Sequence, residues 1–410
     1  CSAKILISDS RKLIDDIHKT EIPQLKAIIF CCGKDKIIAE EKYYSWARLL
    51  EIGKAESQEC LMEAKRGIKS DSCCLIHFEE ESKGIPPKGV KLSHQNILES
   101  ITAIQDKMGL EEELANKGKP NRILSVMPIS HVNALMTDIY IPLLKGWSVY
   151  FEDITEKDFH LIKSLKLVRP LYFFASPVLL EIINDFISDA RIVRYKNIST
   201  KLFFGTFSSE RKHRLRKLAG MDKCKKIFCI GGQNSKISDH VFNSLLRLGF
   251  HIQEVFGCSE TCGPHLWAEF KAKEGWVFTS HSDQKASILE KSELVLSGKN
   301  IFLGYLGDEE ATNKAIKDDG YHTGHIIKSM KTRDFYDFEA KIENEIKKSL
   351  PFVHYTLIIK DEEEKCIDII LYLKTLREEN ERQLTMEHTR LKKSGYLTKK
   401  RADKEKKQYD

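Results

Sequence analysis

Short runs of β-branched and aromatic residues, AKILIS, KAIIF, CCLIHF, RILSVMP, SVYF, LYFFAS, KIFCI and HIQEVFG, alternate with helix-length amphipathic segments as far as residue 257. A pattern that switches repeatedly between strand and helix periods predicts βαβ units and a mostly parallel sheet flanked by helices. Ser93 can cap a helix starting near His94, and Pro177 suits the first turn of the helix VLLEIINDFISDA. After about residue 285 the texture changes to short strands such as ELVLS, a helix around FEAKIENEIKKSL, and the strand pair HYTLIIK and CIDIILYLK separated by DEEEK. Residues 1–284 therefore read as a large α/β domain, 285–380 as the rest of a sheet with a small α+β region, and 381–410 as a basic tail. No internal repeat is evident.

With 410 residues, 41% apolar and 31% charged, the chain can bury the core of one large or two moderate domains, which excludes disorder as the default. The formal charge of +6 is unevenly placed: residues 381–410 carry ten Lys or Arg against five Asp or Glu, leaving 56 against 55 before them. A neutral body excludes extended nucleic-acid contact, which needs a cationic face against phosphates. The tail suits a peripheral contact with an anionic membrane. Eleven cysteines include the pairs Cys31-Cys32 and Cys73-Cys74 but no C-x-x-C and no zinc spacing, so buried thiols in a reducing compartment are expected. Apolar runs fall far short of the roughly 18 residues of a spanning helix, and Cys1-Ser2-Ala3-Lys4 lacks a signal-peptide pattern. A cytoplasmic protein, at most peripheral to membranes, is expected. Because it opens at cysteine, the chain is also expected to be a fragment of a longer product.

The segment VFGCSETCGPH concentrates chemistry. Phe256-Gly257-Cys258-Ser259-Glu260-Thr261 puts an aromatic face, a backbone without a side chain, a hydroxyl and a carboxylate at the end of a predicted strand, where doubly wound sheets bind ligands. An aromatic ring can stack on a base, and a carboxylate can hold Mg2+ beside phosphate oxygens. The bland alternative is a strand followed by a Ser-capped turn.

Taken with PKGVKLSH, MPISH at 127–131 and GKNIFLGYLGDEEATNKAIKDDGYHTGH at 298–325, this segment resembles the adenylate-forming (AMP-binding) superfamily, and FGCSETCGPH is similar to the bubblegum-type long-chain acyl-CoA synthetases. The likeness runs, with gaps, from residue 1 to about 374. It implies an α/β fold with a large N-terminal domain, its own N-terminal part expected to be missing, and a truncated small α+β C-terminal domain. It also implies ATP, Mg2+ and coenzyme A as cofactors: a long-chain fatty acid and the nucleotide give an acyl adenylate, whose acyl group passes to the coenzyme A thiol. By this resemblance Phe256 and Gly257 border the adenine, Ser259 approaches the α-phosphate, Glu260 ligates Mg2+ and Thr261 closes the nucleotide-binding stretch. Lys88 holds phosphate, His131 sits near the acyl carboxylate, and Gly232 in CIGGQNS lies beside adenine, although the family's Gly-Ala-Ala-Pro is absent. A satisfied core histidine remains the alternative for His131.

The departures are as informative. The family's Ser/Thr/Gly loop before Pro-Lys-Gly becomes Phe-Glu-Glu-Glu-Ser-Lys ahead of Pro87-Lys88-Gly89, so most phosphate donors are gone. One glutamate about 4 Å from a phosphate charge costs about 4 kcal/mol at an effective dielectric of 20, unless Glu79–Glu81 turn outward to water. The family's ribose-binding aspartate is His325, and imidazole cannot reproduce a two-oxygen acceptor. IIKSMKTRDFYD replaces a longer hinge segment, with Arg333 the one stand-in for its arginine. TRLKKSGYL either matches the family's closing lysine motif, with Arg390 in place of the lysine, or belongs to the Lys-rich tail.

Two readings follow: a long-chain fatty acid–CoA ligase with impaired catalysis, or a non-catalytic relative with a binding or regulatory role. The last stretch, KKRADKEKKQYD at 399–410, has almost no apolar stripe to bury. Its deletion is expected to leave the melting temperature nearly unchanged in a thermal scan; a drop of several degrees would show that it docks.

Overall fold

The computed structural model describes residues 2–18, 22–31, 42–78, 87–109, 121–152, 160–194, 208–231, 237–271, 275–289, 293–326, 353–361, 366–373 and 386–392. The chain divides into two compact units, Cys1–Ser72 and Cys73–Asp410. The first holds a parallel sheet in the order β1 (Ile5–Ser8), β2 (Ala27–Phe30), β3 (Tyr43–Ser45). Parallel neighbours require a crossover, and α1 (Arg11–His18) provides it, packing Ile14 with Leu25 and Ile28. Helices α2 (Trp46–Ala55) and α3 (Gln58–Arg66) start at serines whose hydroxyls accept a first-turn N–H, Ser45 from Arg48 and Ser57 from Cys60.

The second unit opens with β4 (Cys73–Phe78) and the antiparallel β5 (Gly89–Ser93), which runs into α4 (His94–Met108). Ser93 caps this helix as expected, within a capping box: its hydroxyl accepts the Asn96 N–H at 3.0 Å, and the Asn96 side-chain oxygen accepts the Ser93 N–H at 2.8 Å. There follow β6 (Arg122–Ser125), α5 (Val132–Ala134), a π-helical turn at Leu135–Tyr140, α6 (Ile141–Lys145) and β7 (Ser148–Phe151), which lies parallel to β6. Next come α7 (Leu161–Val168), β8 (Tyr172–Ala175), α8 (Pro177–Arg194), α9 (Ser209–Leu218), β9 (Lys226–Ile230), α10 (Asp239–Arg247) and β10 (His251–Cys258). Strands β8, β9 and β10 are parallel neighbours, as the alternation predicts. Strands β11 (Gly263–Lys271) and β12 (Gly275–Thr279) continue the same sheet antiparallel, so it is mixed.

This five-stranded sheet is covered on both faces, which is why its parallel strands β8 and β9 are apolar at nearly every position. On one face Phe173, Ile227, Cys229 and Ile252 pack with α7, α8 and α10 residues such as Leu165, Leu180, Ile183 and Leu245. On the other, Tyr172, Phe174, Phe228 and Trp267 pack with Ile97, Ile101 and Ile104 of α4. Aromatic rings tie this second face together: Trp147 lies parallel to Tyr172 at 6.1 Å, Phe174 stacks on Phe228 at 4.8 Å, and Trp267 meets Phe228 edge-on at 5.6 Å.

Beyond the sheet lie β13 (Lys285–Ile288), β14 (Glu293–Ser297), β15 (Gly304–Tyr305), α11 (Glu309–Ala315), β16 (Ile316–Lys317) and β17 (Gly320–Ile326). Four of these form a sheet in the order β13-β14-β17-β16, while β15 joins β5. The textural change expected near residue 285 falls at this junction. The strand pair expected after it is present as β18 (Val353–Asp361) and β19 (Cys366–Leu373), antiparallel to each other. A third strand, β20 (Met386–Lys392), runs through the stretch read as a tail and pairs antiparallel with β19, with Arg390 in register with Asp368. The loop at 79–86, Gly232, Arg333 and the helix FEAKIENEIKKSL lie outside the described residues. One expectation is corrected: among the described residues Cys31, Cys60, Cys73 and Cys74 are exposed and Cys258 is half-buried, while Cys224, Cys229 and Cys262 are buried. Cys73 and Cys74 begin β4, which among the described residues pairs on one side alone, so apolar neighbours in sequence did not mean burial.

A single ion pair secures the α7–α9 corner. Arg169 ends α7 in a left-handed conformation (φ 50°), and its Nε donates to Asp222 Oδ1 at 3.1 Å while Nη2 donates to Oδ2. The close approach needs glycine at position 220, where φ is +75° and a Cβ would stand 2.4 Å from the Lys166 nitrogen. Burial opposes the ionised Asp222 carboxyl, but the hydrogen bonds and charge of Arg169 outweigh it and hold its pKa below the usual value. This stabilisation is present above the ordinary carboxylate pKa of about 3.9 and is lost as pH falls through the lowered one. Asp222→Asn is therefore expected to cost about 1–2 kcal/mol in urea unfolding at pH 7, with the gap to wild type closing below about pH 4.

Candidate functional site

The motif FGCSET folds as the end of β10, a 3-10 turn at Ser259–Thr261, and a reversal into β11. Its glycine is required by the chain itself: a Cβ on Gly257 would stand 2.0 Å from the Gly263 carbonyl oxygen. The ladder slips at this point, pairing Phe256 with Leu266 but Gly257 with Pro264, so His265 is the extra residue of a β-bulge. Thr261 is completely buried and its hydroxyl is engaged by backbone, accepting from the Cys258 N–H at 2.9 Å and lying 2.7 Å from the Gly263 carbonyl. It braces the turn that presents Ser259, itself 1% exposed, and Glu260.

A second brace lies behind the turn. The Asn300 amide donates to the Thr261 carbonyl at 2.8 Å and to His265 Nδ1 at 3.0 Å, and His265 Nε2 donates to the Lys285 carbonyl at 3.1 Å. These partners fix the tautomer with the proton on Nε2. Burial pushes the His265 pKa down to about 4, so the ring stays neutral. Asn96, beyond its capping role, donates to the carbonyls of Lys299 at 2.6 Å and Ile301 at 2.8 Å. The segment at 298–306 is thereby held against both α4 and the turn. His265, Asn96, Asn300 and Tyr305 had no role assigned from sequence, although all but Asn96 lie in quoted motifs; polar residues inside a motif give no sign of facing ligand or backbone.

Segments distant in sequence meet here. The Tyr305 hydroxyl donates to Glu260 Oε1 at 2.8 Å, and the Glu260 carbonyl accepts the Phe302 N–H at 2.8 Å. Lys88, exposed at the start of β5, holds its ammonium 5.5 Å from the centre of the Tyr305 ring. Phe256 is 8% exposed, packed with Leu266, Leu294 and Leu296. His325 meets it edge-on at 5.5 Å, and burial lowers the His325 pKa, favouring neutral imidazole. His131 is partly exposed and caps α5, its Nδ1 accepting the Asn133 N–H at 3.2 Å; α5 packs against β10 and β11. Thus Lys88, Phe256, Gly257, Ser259, Glu260, Thr261 and His325 surround the end of β10, with His131 on a neighbouring element. Among the described residues no group of three His, Cys, Asp or Glu could hold a metal. Glu260 alone, with one oxygen engaged by Tyr305, suits a metal shared with phosphate oxygens and not one caged by protein. No helix among the described residues is long and apolar enough to cross a membrane.

The strand that carries His325 is clamped electrostatically. His322 lies between Glu293 Oε2 (3.1 Å from Nδ1) and Asp319 Oδ1 (2.8 Å from Nε2), with the Lys317 ammonium 3.4 Å from Nδ1. The Asp319 hydrogen bond raises its pKa most, burial and Lys317 oppose, and Glu293 adds to the rise. A raised imidazole pKa stabilises fully below the ordinary value of about 6.5 and ceases to as pH rises through the elevated one.

Comparison with known proteins identifies the family and the fold. A family model described as AMP-binding enzyme matches residues 3–306. The long-chain-fatty-acid–CoA ligase ACSBG2 of Gallus gallus is 28% identical over 431 residues, covering 92% of this chain and 54% of that protein. The ligase of the same name from Homo sapiens is 26% identical, over 90% of this chain and 61% of its own length. The chain thus spans little more than half of the curated relatives it matches. Among solved structures, apo MatB from Rhodopseudomonas palustris superposes with a TM-score of 0.56 at 16% identity, covering 88% of this chain and 66% of that one. O-succinylbenzoate coenzyme A synthetase (MenE) from Bacillus subtilis, in complex with AMP, gives 0.55 at 13% identity, covering 87% and 75%. These likenesses establish the fold.

From the clamp, the melting temperature of wild type is expected to fall relative to His322→Gln as pH rises from 6 through the elevated imidazole pKa. Parallel curves across that window would show that the clamp carries no charge-dependent stability.

Proposed function

The chain belongs to the AMP-binding enzyme family, and we propose that it handles the substrates of long-chain-fatty-acid–CoA ligases with impaired turnover. The observation that supports this reading is the meeting of Lys88, Phe256, Glu260 and His325 around the carboxyl end of β10, where open α/β sheets bind ligands. In this reading Phe256 and Gly257 would border the adenine of ATP, with Gly232 beside it. Ser259 approaches the α-phosphate, Thr261 holds the turn, Glu260 carries the metal and Lys88 the phosphate. A long-chain fatty acid enters with its carboxylate near His131, and coenzyme A would receive the acyl group.

Two features weaken the nucleotide's hold. His325 stands where the family's aspartate accepts both ribose hydroxyls, and a neutral ring has one acceptor nitrogen for that task. Glu79–Glu81 replace the donors of the phosphate loop. The same neutral His325 favours the second reading, a non-catalytic relative that binds or regulates. The basic tail, cytoplasmic placement and peripheral membrane contact belong to the proposal as well.

Isothermal titration with ATP and Mg2+ tests it. A dissociation constant weaker than low micromolar is expected, with Glu260→Gln removing its Mg2+ dependence, and no acyl-CoA by mass spectrometry after addition of fatty acid and coenzyme A. Low-micromolar binding would overturn the weakened-site reading. Pyrophosphate release that depends on fatty acid, followed by acyl-CoA, would establish a competent ligase.

A further inference from the structure

We propose that Tyr305 is the positioning residue that decides how Glu260 meets a divalent cation. The proposal rests on the reading of Glu260 as the metal ligand.

The side chain is placed by backbone constraints. Gly304 and Tyr305 pair antiparallel with Lys91 and Val90 of β5, and the Tyr305 N–H donates to Thr312 Oγ1 at 2.9 Å. The Phe302 ring meets the phenol at 4.8 Å and a steep angle, leaving Tyr305 8% exposed. From this fixed base its hydroxyl donates to Glu260 Oε1 at 2.8 Å. A phenol is protonated at neutral pH, so the hydroxyl remains a donor.

A permanent donor on Oε1 leaves Oε2 to approach a cation and disfavours a bidentate grip. One carboxylate oxygen combined with phosphate oxygens and water is what Mg2+ accepts in its near-octahedral shell. The arrangement orients a ligand through a hydrogen-bonded neighbour, as outer partners do at metal sites.

The ring has a second neighbour. The Lys88 ammonium lies 5.5 Å from its centre, a cation–π distance.

The test uses the full chain and its Tyr305→Phe, Tyr305→Leu, Glu260→Gln and Tyr305→Phe/Glu260→Gln variants, titrated calorimetrically with ATP and AMP, at nucleotide up to the millimolar range, over a series of Mg2+ concentrations. Tyr305→Phe keeps the ring, the packing and the Lys88 contact and removes only the hydroxyl. It is expected to raise the Mg2+ concentration for half-maximal ATP binding by about tenfold, the scale of one hydrogen bond to a charged group. AMP affinity without metal is expected to stay as in wild type. In the Glu260→Gln background the Tyr305→Phe effect should vanish, which a merely structural role would not produce. Tyr305→Leu removes the ring as well and should shift the Mg2+ midpoint at least as far. An unchanged Mg2+ midpoint in Tyr305→Phe, or an equal shift with Glu260→Gln, overturns the positioning role alone. A wild-type chain whose nucleotide binding is indifferent to Mg2+ overturns the metal reading of Glu260, and the positioning role with it.

Discussion

The site depends on the docking of one short segment, residues 298–306, into the angle between β5 and the turn after β10. Its backbone pairs with β5, where the Leu303 N–H reaches the Lys91 carbonyl at 2.9 Å and the Leu306 N–H the Gly89 carbonyl at 2.7 Å. Two buried asparagine amides fasten it at either side, Asn96 from α4 and Asn300 from the segment itself. A buried amide left without partners costs about 1–3 kcal/mol, so the segment cannot lift without exposing several such debts together. The interactions that hold Glu260, Tyr305 and Lys88 in one place are therefore cooperative, and none belongs to a single element.

Much of the architecture was legible because apolar periodicity carries it. The eight quoted runs all became strands, CIDIILYLK and HYTLIIK among the later ones did also, and Ser93 and Pro177 began helices as their chemistry dictates. What escaped was determined by tertiary contact. Strand β5 reads as a loop exit because Gly89 and Lys91 dilute its pattern, yet it is strand because β4 and β15 pair with its two edges. Strand β11 carries Pro264, a poor strand residue, at a bulge where no ladder bond is asked of it. The two-residue β15 is too short to leave any periodic trace.

The candidate site was legible in its residues and not in its wiring. The motif named Glu260 and Phe256, but nothing in the order of residues says that Tyr305 donates to the first or that His325 leans on the second. The same limit applies to histidines. His265 and His325 are driven towards neutrality by burial, whereas His322, on the same strand as His325, is driven towards its charged form by two carboxylates. Three imidazoles of one composition thus play opposite electrostatic parts, decided entirely by what the fold sets beside them.

The bulge at His265 also constrains how this region can vary in length. In a strand every second side chain faces the same way, so an added residue inverts the order for everything that follows. Val255 and Trp267 face one core and Phe256 and Leu266 the other, and the odd residue between Pro264 and Leu266 is what reconciles that order with the tight reversal at Cys262. Loss of one residue from β11 would leave two outcomes: the reversal opens, or the strand turns over and sends Leu266 and Trp267 to each other's sides. Sequence length is therefore quantised here, free to change in the connections beyond β12 but fixed from Phe256 to Trp267.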